Sequence, residues 1–125
     1  MNANSRFTFS SRLNSFRYAF RGIAVLLASE PNSRIHALAT FLVTIAGWYV
    51  GLSRFEWCWI VAAIFAVWTA EAFNTAIESL TDLVSPDFHL LAGKTKDIAS
   101  AAVLFTAIGA AIIGSIIFLP HISGL

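Results

Sequence analysis

Residues 57–82 read WCWIVAAIFAVWTAEAFNTAIESLTD, and this stretch decides the fold. Its first half carries no charged side chain, and no helix-breaking residue separates it from the polar second half. At about 100° per residue, positions i, i+3, i+4, i+7 and i+11 fall in one narrow stripe of a helix. The side chains at these positions are Glu71, Asn74, Thr75, Glu78 and Asp82. One helix therefore combines an apolar half suited to a membrane with a polar stripe suited to a functional site.

The composition indicates a membrane protein. Of the 125 residues, 58% are hydrophobic and 12% are charged, and the mean hydropathy is +0.74, whereas soluble domains hold about 25% charged residues. Because one crossing needs about 20 apolar residues, a single domain over 1–125 has room for three or at most four crossings. The net charge of +1 argues against nucleic acid as a partner, and the single cysteine, Cys58, excludes an intrachain disulfide.

Two uncharged apolar runs, 35–52 and 98–119, are long enough to be transmembrane helices. A further crossing is predicted over 57–79, whose first part is apolar and whose polar stripe begins at Glu71. Trp48 near the end of the first run is an interfacial anchor, and Pro120 is expected to end the third helix. The sequence therefore predicts an all-α integral membrane protein with three crossings.

An amphipathic helix is predicted before the crossings, over residues 11–29. Its apolar residues recur at steps of three and four, while Arg17 and Arg21 lie on another face. Such a helix suits the surface of an anionic inner leaflet, although packing against the other helices would give the same pattern. The stretch lacks the features of a signal peptide, so we expect mature protein here. Asn32 and Ser33 are the predicted N-caps of the next helix.

The distribution of Lys and Arg predicts the topology. All of them except Arg54 lie on the N-terminal side of the first crossing or in the polar segment 80–97. The positive-inside rule therefore places the N-terminus and a loop over 80–97 in the cytoplasm, and the C-terminus outside.

The polar stripe contains the candidate catalytic groups. At about 1.5 Å per residue, Glu71 lies roughly 21 Å from Trp57 and Glu78 roughly 31 Å, so Glu71 is inside the hydrocarbon and Glu78 at its edge. An intramembrane carboxylate is costly and suggests proton transfer, which makes Glu71 a candidate general base. Glu78 and Asp82 are suited to bind Mg²⁺ through oxygen. Alternatively, the stripe only joins helices, although Asn and Ser would do so at lower cost.

A basic segment precedes the third crossing. Lys94 and Lys96 stand close to a helix N-terminus, where a phosphate could bind, or they form a solvated loop that obeys the positive-inside rule. A Walker A loop is excluded because Phe88 stands where glycine is required. His36 and His89 are interpreted as polar interface residues rather than metal ligands. Carboxylates and lysines at one membrane face predict phosphoryl transfer to a lipid.

The alternative function is that of a small oligomeric transporter that uses intramembrane glutamates. A transporter would be expected to place its carboxylates near the bilayer midplane. In this sequence the carboxylates instead cluster toward the basic segment. The pattern therefore favours a lipid kinase.

The string EAFNTAIE at 71–78, followed by Asp82, His89 and KDIASAAV at 96–103, resembles the prokaryotic diacylglycerol kinase family. The resemblance covers nearly the whole chain. It implies a homotrimer with active sites between subunits, each subunit having a surface helix and three crossings. It also implies transfer of the γ-phosphoryl group of Mg-ATP to a lipid hydroxyl at the cytoplasmic face of the bacterial plasma (inner) membrane.

The resemblance further implies roles for individual residues. Glu71 matches the catalytic base, and Glu30 and Glu78 match the glutamates that bind the metal. Asn74 and Ser100 match residues beside the base and, with Glu71, are expected to bind the lipid substrate. The residues that match nucleotide contacts are Tyr18, Glu30, Glu78, Asp87, His89, Lys96 and Asp97. Arg12 is one position away from an arginine expected to contact the nucleotide.

The family has two main acceptors, diacylglycerol and undecaprenol. The motif Arg34-Ile35-His36, the pair Glu56-Trp57 and the segment IIFLP at 116–120 are more similar to the undecaprenol kinase branch. The expected product is therefore undecaprenyl phosphate, with phosphatidic acid as the alternative.

Overall fold

The structure is a computed structural model that describes residues 8–124. Over this range the chain forms four helices, which confirms the all-helical prediction: α1 (Phe9–Ser29), α2 (Pro31–Val50), α3 (Arg54–Val84) and α4 (Leu90–Ser123). The other residues, among them Arg6 of the basic N-terminal segment, lie outside the described part.

The turn between α2 and α3 is defined by its end residues. Gly51 ends α2 with a φ of 73°, a left-handed conformation that glycine adopts without strain. Ser53 begins α3 through a reciprocal cap, in which its hydroxyl accepts from the Glu56 N–H at 3.1 Å and Glu56 Oε1 accepts from the Ser53 N–H at 2.9 Å. The two helices therefore form a tight hairpin.

A single extended residue, Glu30, separates α1 from α2, so the predicted N-caps Asn32 and Ser33 are wrong. Helix α2 begins at Pro31, because the fixed φ of proline suits the first helical position. Ser33 is fully buried and its hydroxyl donates to the carbonyls of Leu26 at 2.8 Å and Glu30 at 2.6 Å. The hydroxyl thus satisfies carbonyls at the end of α1 instead of capping α2.

The guanidinium of Arg34 reinforces the same joint. Its Nε donates to the Leu27 carbonyl at 3.2 Å and its Nη2 donates to the Ala28 carbonyl at 2.8 Å. The last turn of α1 is therefore tied to the first turn of α2, and the position of Glu30 is fixed from both sides.

The connection between α3 and α4 is shorter than the predicted loop over 80–97. Helix α3 continues to Val84, and α4 begins at Leu90 after His89, whose Nδ1 accepts from the Leu91 N–H at 3.1 Å. Lys94 and Lys96 therefore lie on the first turns of α4. The predicted end of the helix at Pro120 is also wrong, since α4 runs through it to Ser123. A proline removes only one backbone hydrogen bond of a helix, and membrane helices tolerate this loss.

Helices α2, α3 and α4 form an antiparallel bundle. His36 of α2 contacts Glu71, while near the other end of this hairpin a Cβ added to Gly47 would lie 2.8 Å from Trp57 Cη2. Helix α4 pairs with α3 through Lys96 and Asp82 at one end and through His121 and Glu56 at the other. The small buried core lies at the Glu56 end and consists of Leu52, Ile60 and Ile117.

The exterior of the described chain is largely apolar. Phe41, Phe65 and Phe105 are 62%, 68% and 75% exposed, and many other large apolar side chains also point outward. By length and composition, α3 and α4 can each cross a membrane, and they are the two helices of residues 8–124 that meet this measure. Because so much apolar surface requires lipid or further protein around it, the chain is a membrane protein.

Candidate active site

A polar cavity of about 270 Å³ lies between α2, α3 and α4, and both His36 and Glu71 line it. Five predicted site residues from three parts of the chain come together in its lining. They are Glu30 at the joint between α1 and α2, Glu71, Asn74 and Glu78 on α3, and Ser100 on α4. Three residues of the stripe inferred from helical periodicity, Glu71, Asn74 and Glu78, therefore do face one common space.

Glu71 is the most enclosed of these residues, with 1% of its surface exposed. Its Oε2 lies 3.3 Å from Nε2 of His36, while its Oε1 is buried and has no hydrogen-bond partner among residues 8–124. A buried polar atom without a partner is rare because it loses the hydrogen bond it would have to water. The carboxyl group therefore has one engaged oxygen and one oxygen whose hydrogen-bonding capacity is unused.

Asn74 continues the same face one helical turn later. It is 7% exposed, and its Nδ2 donates to Glu78 Oε1 at 3.4 Å. Within the described chain, Asn74 Oδ1 and Thr75 Oγ1 are also buried without a hydrogen-bond partner. Thr75 lines a different groove, between α1 and α3, so the unsatisfied oxygens of the residues that line the cavity are those of Glu71 and Asn74. Such oxygens suit a ligand that brings hydrogen-bond donors or a cation.

Asp82, the last residue of the stripe, does not line the cavity. It is 63% exposed and forms an ion pair with Lys96, so the prediction that it binds a cation beside Glu78 is not supported by its position. The pairing raises the pKa of Lys96, chiefly through the hydrogen bond to Asp82 and also through the charges of Asp82 and Glu78. Lys96, which precedes the crossing predicted at 98–119, is therefore a stable cation at this end of the bundle.

The other residues expected to contact nucleotide lie outside the cavity within one chain. Tyr18 lines a separate groove between α1 and α3, and the guanidinium carbon of Arg21 lies 5.9 Å from its ring centroid. His89 caps α4, and the carbonyl of Asp87 accepts from the Ser85 hydroxyl at 3.2 Å. Asp97 is exposed on α4. These side chains share the end of the bundle that holds Glu78, but residues 8–124 do not bring them together.

The cavity offers oxygen ligands for a cation. Among residues 8–124, no three side chains of His, Cys, Asp or Glu form a ready-made metal site. Glu30 and Glu78 nevertheless line one space with the unsatisfied amide oxygen of Asn74. Mg²⁺ is commonly held by one or two carboxylates together with substrate phosphates and water, so this donor set fits magnesium that arrives with a nucleotide.

His36 is the residue whose place the sequence analysis missed. It was interpreted as a polar interface residue, yet it contacts Glu71 and lines the cavity. Two features of the sequence point to this contact. First, His36 is the only histidine in the apolar run 35–52. Second, His36 and Trp68 are equally far in sequence from Leu52, which lies in the α2–α3 turn, so antiparallel helices of equal rise bring His36 to the level of Trp68 and of the helical turn after it, which holds Glu71.

Comparisons with known proteins define the class. Residues 17–118 match the family model described as prokaryotic diacylglycerol kinase. The chain is 42% identical to an undecaprenol kinase of Bacillus subtilis over 108 residues, which cover 86% of this chain and 88% of the relative.

Two diacylglycerol kinases are also similar. The one from Synechocystis is 37% identical over 90% of this chain and 65% of its own length. The one from Escherichia coli is 26% identical over 95% of this chain and 98% of its own length. The all-helical apolar fold and these matches define a membrane lipid kinase. The chain belongs to the prokaryotic diacylglycerol kinase family, and within that family it is similar to undecaprenol kinase.

Proposed function

We propose that this chain transfers the γ-phosphoryl group of Mg-ATP to the hydroxyl of undecaprenol at the cytoplasmic face of the bacterial plasma membrane. The observation that carries the proposal is the carboxyl group of Glu71, which is buried with one oxygen unsatisfied in the described chain. A buried proton acceptor is suited to the activation of a lipid alcohol.

The acceptor is proposed to reach Glu71 from the hydrocarbon side. A second cavity of about 270 Å³, almost wholly apolar, is lined by His36, Ala63, Ala107 and Gly114 among other residues. His36 and Ala107 line both this cavity and the polar one. The hydroxyl of a membrane lipid can therefore meet Glu71 where the two cavities adjoin, while its chain stays among apolar side chains.

The reaction follows from that placement. The acceptor O–H bond breaks and its proton passes to Oε1 of Glu71, while the acceptor oxygen forms a bond to the γ-phosphorus. The bond between the γ-phosphorus and the β,γ-bridging oxygen breaks, and ADP leaves. Asn74 and Ser100 are proposed to hydrogen-bond the acceptor beside the base, because both line the same cavity.

Glu30 and Glu78 are proposed to hold the magnesium that accompanies ATP. When bound, Mg²⁺ offsets the negative charge of the phosphates. The proposed nucleotide contacts outside the cavity are Tyr18, Asp87, His89, Lys96 and Asp97. Since one chain does not bring these residues to the cavity, a homotrimer with shared sites is proposed to do so. The exposed apolar faces of α3 and α4 provide surface for such contacts.

The proposed membrane arrangement has three crossings and a surface helix. Helix α2 lies antiparallel to the apolar half of α3, so the two would cross the same layer. Except for the buried Leu26, the large apolar residues of α1 are exposed, including Phe16 at 64% and Phe20 at 67%, and can enter the membrane interface. The basic N-terminal segment and Lys94 support a cytoplasmic position of that surface, because the positive-inside rule puts Lys and Arg on the cytoplasmic side.

The acceptor is proposed from similarity. The Bacillus relative at 42% identity is an undecaprenol kinase, and the relatives with lower identities quoted above are diacylglycerol kinases. None of these relatives supports the alternative of a transporter. Diacylglycerol is the second candidate acceptor.

Transfer of label tests this function. Purified protein in mixed micelles is incubated with γ-labelled ATP and Mg²⁺, with undecaprenol and diacylglycerol in separate reactions, and the label in the organic phase is counted. We expect label in both lipids or in undecaprenol alone, with the higher kcat/KM for undecaprenol. Faster labelling of diacylglycerol would reverse the acceptor assignment, and no labelled lipid would overturn the proposed function.

A further inference from the structure

We propose that His36 is a positioning residue, which holds Oε2 of Glu71 so that Oε1 faces the acceptor hydroxyl. The inference rests on the proposed function, because it assigns His36 a role in the same proton transfer. It concerns a residue that the family resemblance did not include among the site residues.

The geometry of the carboxyl group is the first observation. His36 Nε2 lies 3.3 Å from Oε2 of Glu71, and the side chains are 17% and 1% exposed. In the described chain the other oxygen has no hydrogen-bond partner. A carboxylate without any donor could rotate its two oxygens freely, so a single donor on Oε2 defines which oxygen keeps its hydrogen-bonding capacity unused. With Nε2 protonated, His36 is that donor.

The imidazole ring is itself fixed in place. It makes an edge-on contact with Trp68, with ring centroids 6.2 Å apart and an angle of 65° between the planes. The indole Nε1 of Trp68 donates in turn to Thr40 Oγ1 at 3.0 Å. These contacts come from one helical turn of α2 and one of α3, so the donor is set by rigid elements. Fixed geometry matters here because a misplacement of about 1 Å can cost roughly 100-fold in rate.

The position of His36 in the bundle is the third observation. It lines both the polar cavity and the apolar cavity, and it therefore stands where the head and the tail of a lipid alcohol would meet. The other ionisable side chains that line the polar cavity are Glu30, Glu71 and Glu78, and the part of α4 in this lining contributes Ser100, Val103, Leu104 and Ala107. Of the three carboxylates, Glu71 is the one in hydrogen-bonding contact with the ring.

Two substitutions separate positioning from packing. His36→Gln keeps an N–H donor near the place of Nε2 but loses the ring, whereas His36→Phe keeps a ring but loses the donor. We expect His36→Phe to lower kcat by about 10- to 100-fold, while the KM for ATP and the KM for the lipid acceptor stay within about twofold of wild type. His36→Gln should keep kcat within about threefold of wild type, because its amide can still hold Oε2.

The matched control is His121→Phe, which alters a histidine that also contacts a glutamate but lies at the other end of the bundle. Its kcat should equal that of wild type. If His36→Phe is as active as His36→Gln, the ring only packs and the inference is wrong. Wild-type protein that labels no lipid would instead remove the proposed function, so the two failures are distinguishable.

A double substitution tests whether His36 acts through Glu71. In the Glu71→Gln background, His36→Phe should cause no further loss of kcat, whereas independent roles would multiply the two losses. If His36→Phe and His36→Gln both fail to fold, ¹⁵N NMR of histidine-labelled wild type decides. The His36 Nε2 should be protonated and its resonance should move in Glu71→Gln. An Nε2 signal unaffected by that substitution would overturn the inference.

Discussion

Two histidine–glutamate contacts lie at opposite ends of the bundle, and their differences are instructive. At one end His36 contacts Glu71 at 3.3 Å, with exposures of 17% and 1%. At the other end His121 contacts Glu56 at 3.0 Å, with exposures of 27% and 26%. The residue types and distances are similar, but the burial of the two carboxylates differs strongly.

The partners of the carboxylate oxygens also differ. Glu56 Oε1 accepts from the Ser53 N–H, and both of its oxygens lie within 3.3 Å of His121 Nε2. Glu71 has an oxygen without a partner among the described residues. A satisfied and partly exposed pair ties two helix ends together, whereas a buried and half-satisfied pair retains capacity for a substrate. Burial and unsatisfied oxygens, not the pairing itself, distinguish the candidate site.

The largest expected effect is that of Glu71→Gln. Loss of a general base costs about 10²- to 10⁴-fold, so kcat should fall by this amount while the fold and ATP binding remain. Label transfer to lipid and equilibrium binding of nucleotide measure the two quantities. Glu56→Gln, which changes the other pair in the same way, should keep kcat. A Glu71→Gln variant with near wild-type kcat would refute the assignment of the base.

Glu78→Gln should have the next largest effect. Because a carboxylate proposed to hold Mg²⁺ is lost, the concentration of Mg²⁺ for half-maximal activity should rise by at least the roughly 10- to 100-fold typical for lost outer-sphere partners. The measurement is a Mg²⁺ titration of label transfer at saturating ATP, with Glu56→Gln as the control. An unchanged titration curve would remove Glu78 from the metal site.

Gly47→Ala tests the end of the bundle that holds the small core. The added Cβ would lie 2.8 Å from Leu52 Cδ1 and from Trp57 Cη2, and overpacking of this kind costs about 1–3 kcal/mol. We expect a lower unfolding midpoint in detergent and an unchanged kcat per folded molecule. A loss of kcat without a loss of stability would show that the two ends are not as independent as the comparison implies.

The smallest expected effect concerns the pH dependence of the Glu56 contact. The Ser53 backbone N–H, with help from His121, lowers the pKa of Glu56 below its ordinary value of 4.5; this residue precedes the crossing predicted at 57–79. A lowered pKa in the folded state means that the stabilisation is present above the ordinary value and is lost as the pH falls through the lowered one.

Thermal unfolding of wild type and Glu56→Gln over a range of pH measures this contribution. The wild type should be slightly more stable at neutral pH, and the difference should shrink in acid. A difference that is constant from neutral to acidic pH would contradict the role of the charged carboxylate.

Much of the site could be predicted because it lies on one regular helix. Helical periodicity alone placed Glu71, Asn74 and Glu78 on one face, and the structure brings all three to one cavity. Asp82 followed the same period, but its partner Lys96 lies on another helix. Periodicity reports the direction of a side chain and not its tertiary partner, so this residue was assigned to the wrong neighbours.

The helix ends were the less predictable part of the fold. Ser33 has the chemistry of an N-cap, yet the preceding proline already begins the helix and the hydroxyl satisfies carbonyls of α1. A proline commonly ends a helix in a water-soluble protein, but α4 continues for three residues beyond Pro120. In both places a local preference was overridden by tertiary packing or by an apolar environment, which the chain sequence does not display.

The one-residue joint at Glu30 has a mechanical consequence. Ser33 and Arg34 tie α2 to the last carbonyls of α1, so no flexible linker separates α1 from the cavity. A tilt of α1 about this joint would displace the Glu30 carboxylate relative to Glu78. If α1 is the surface helix proposed above, lipid headgroup packing around it would set the spacing of two carboxylates inside the bundle.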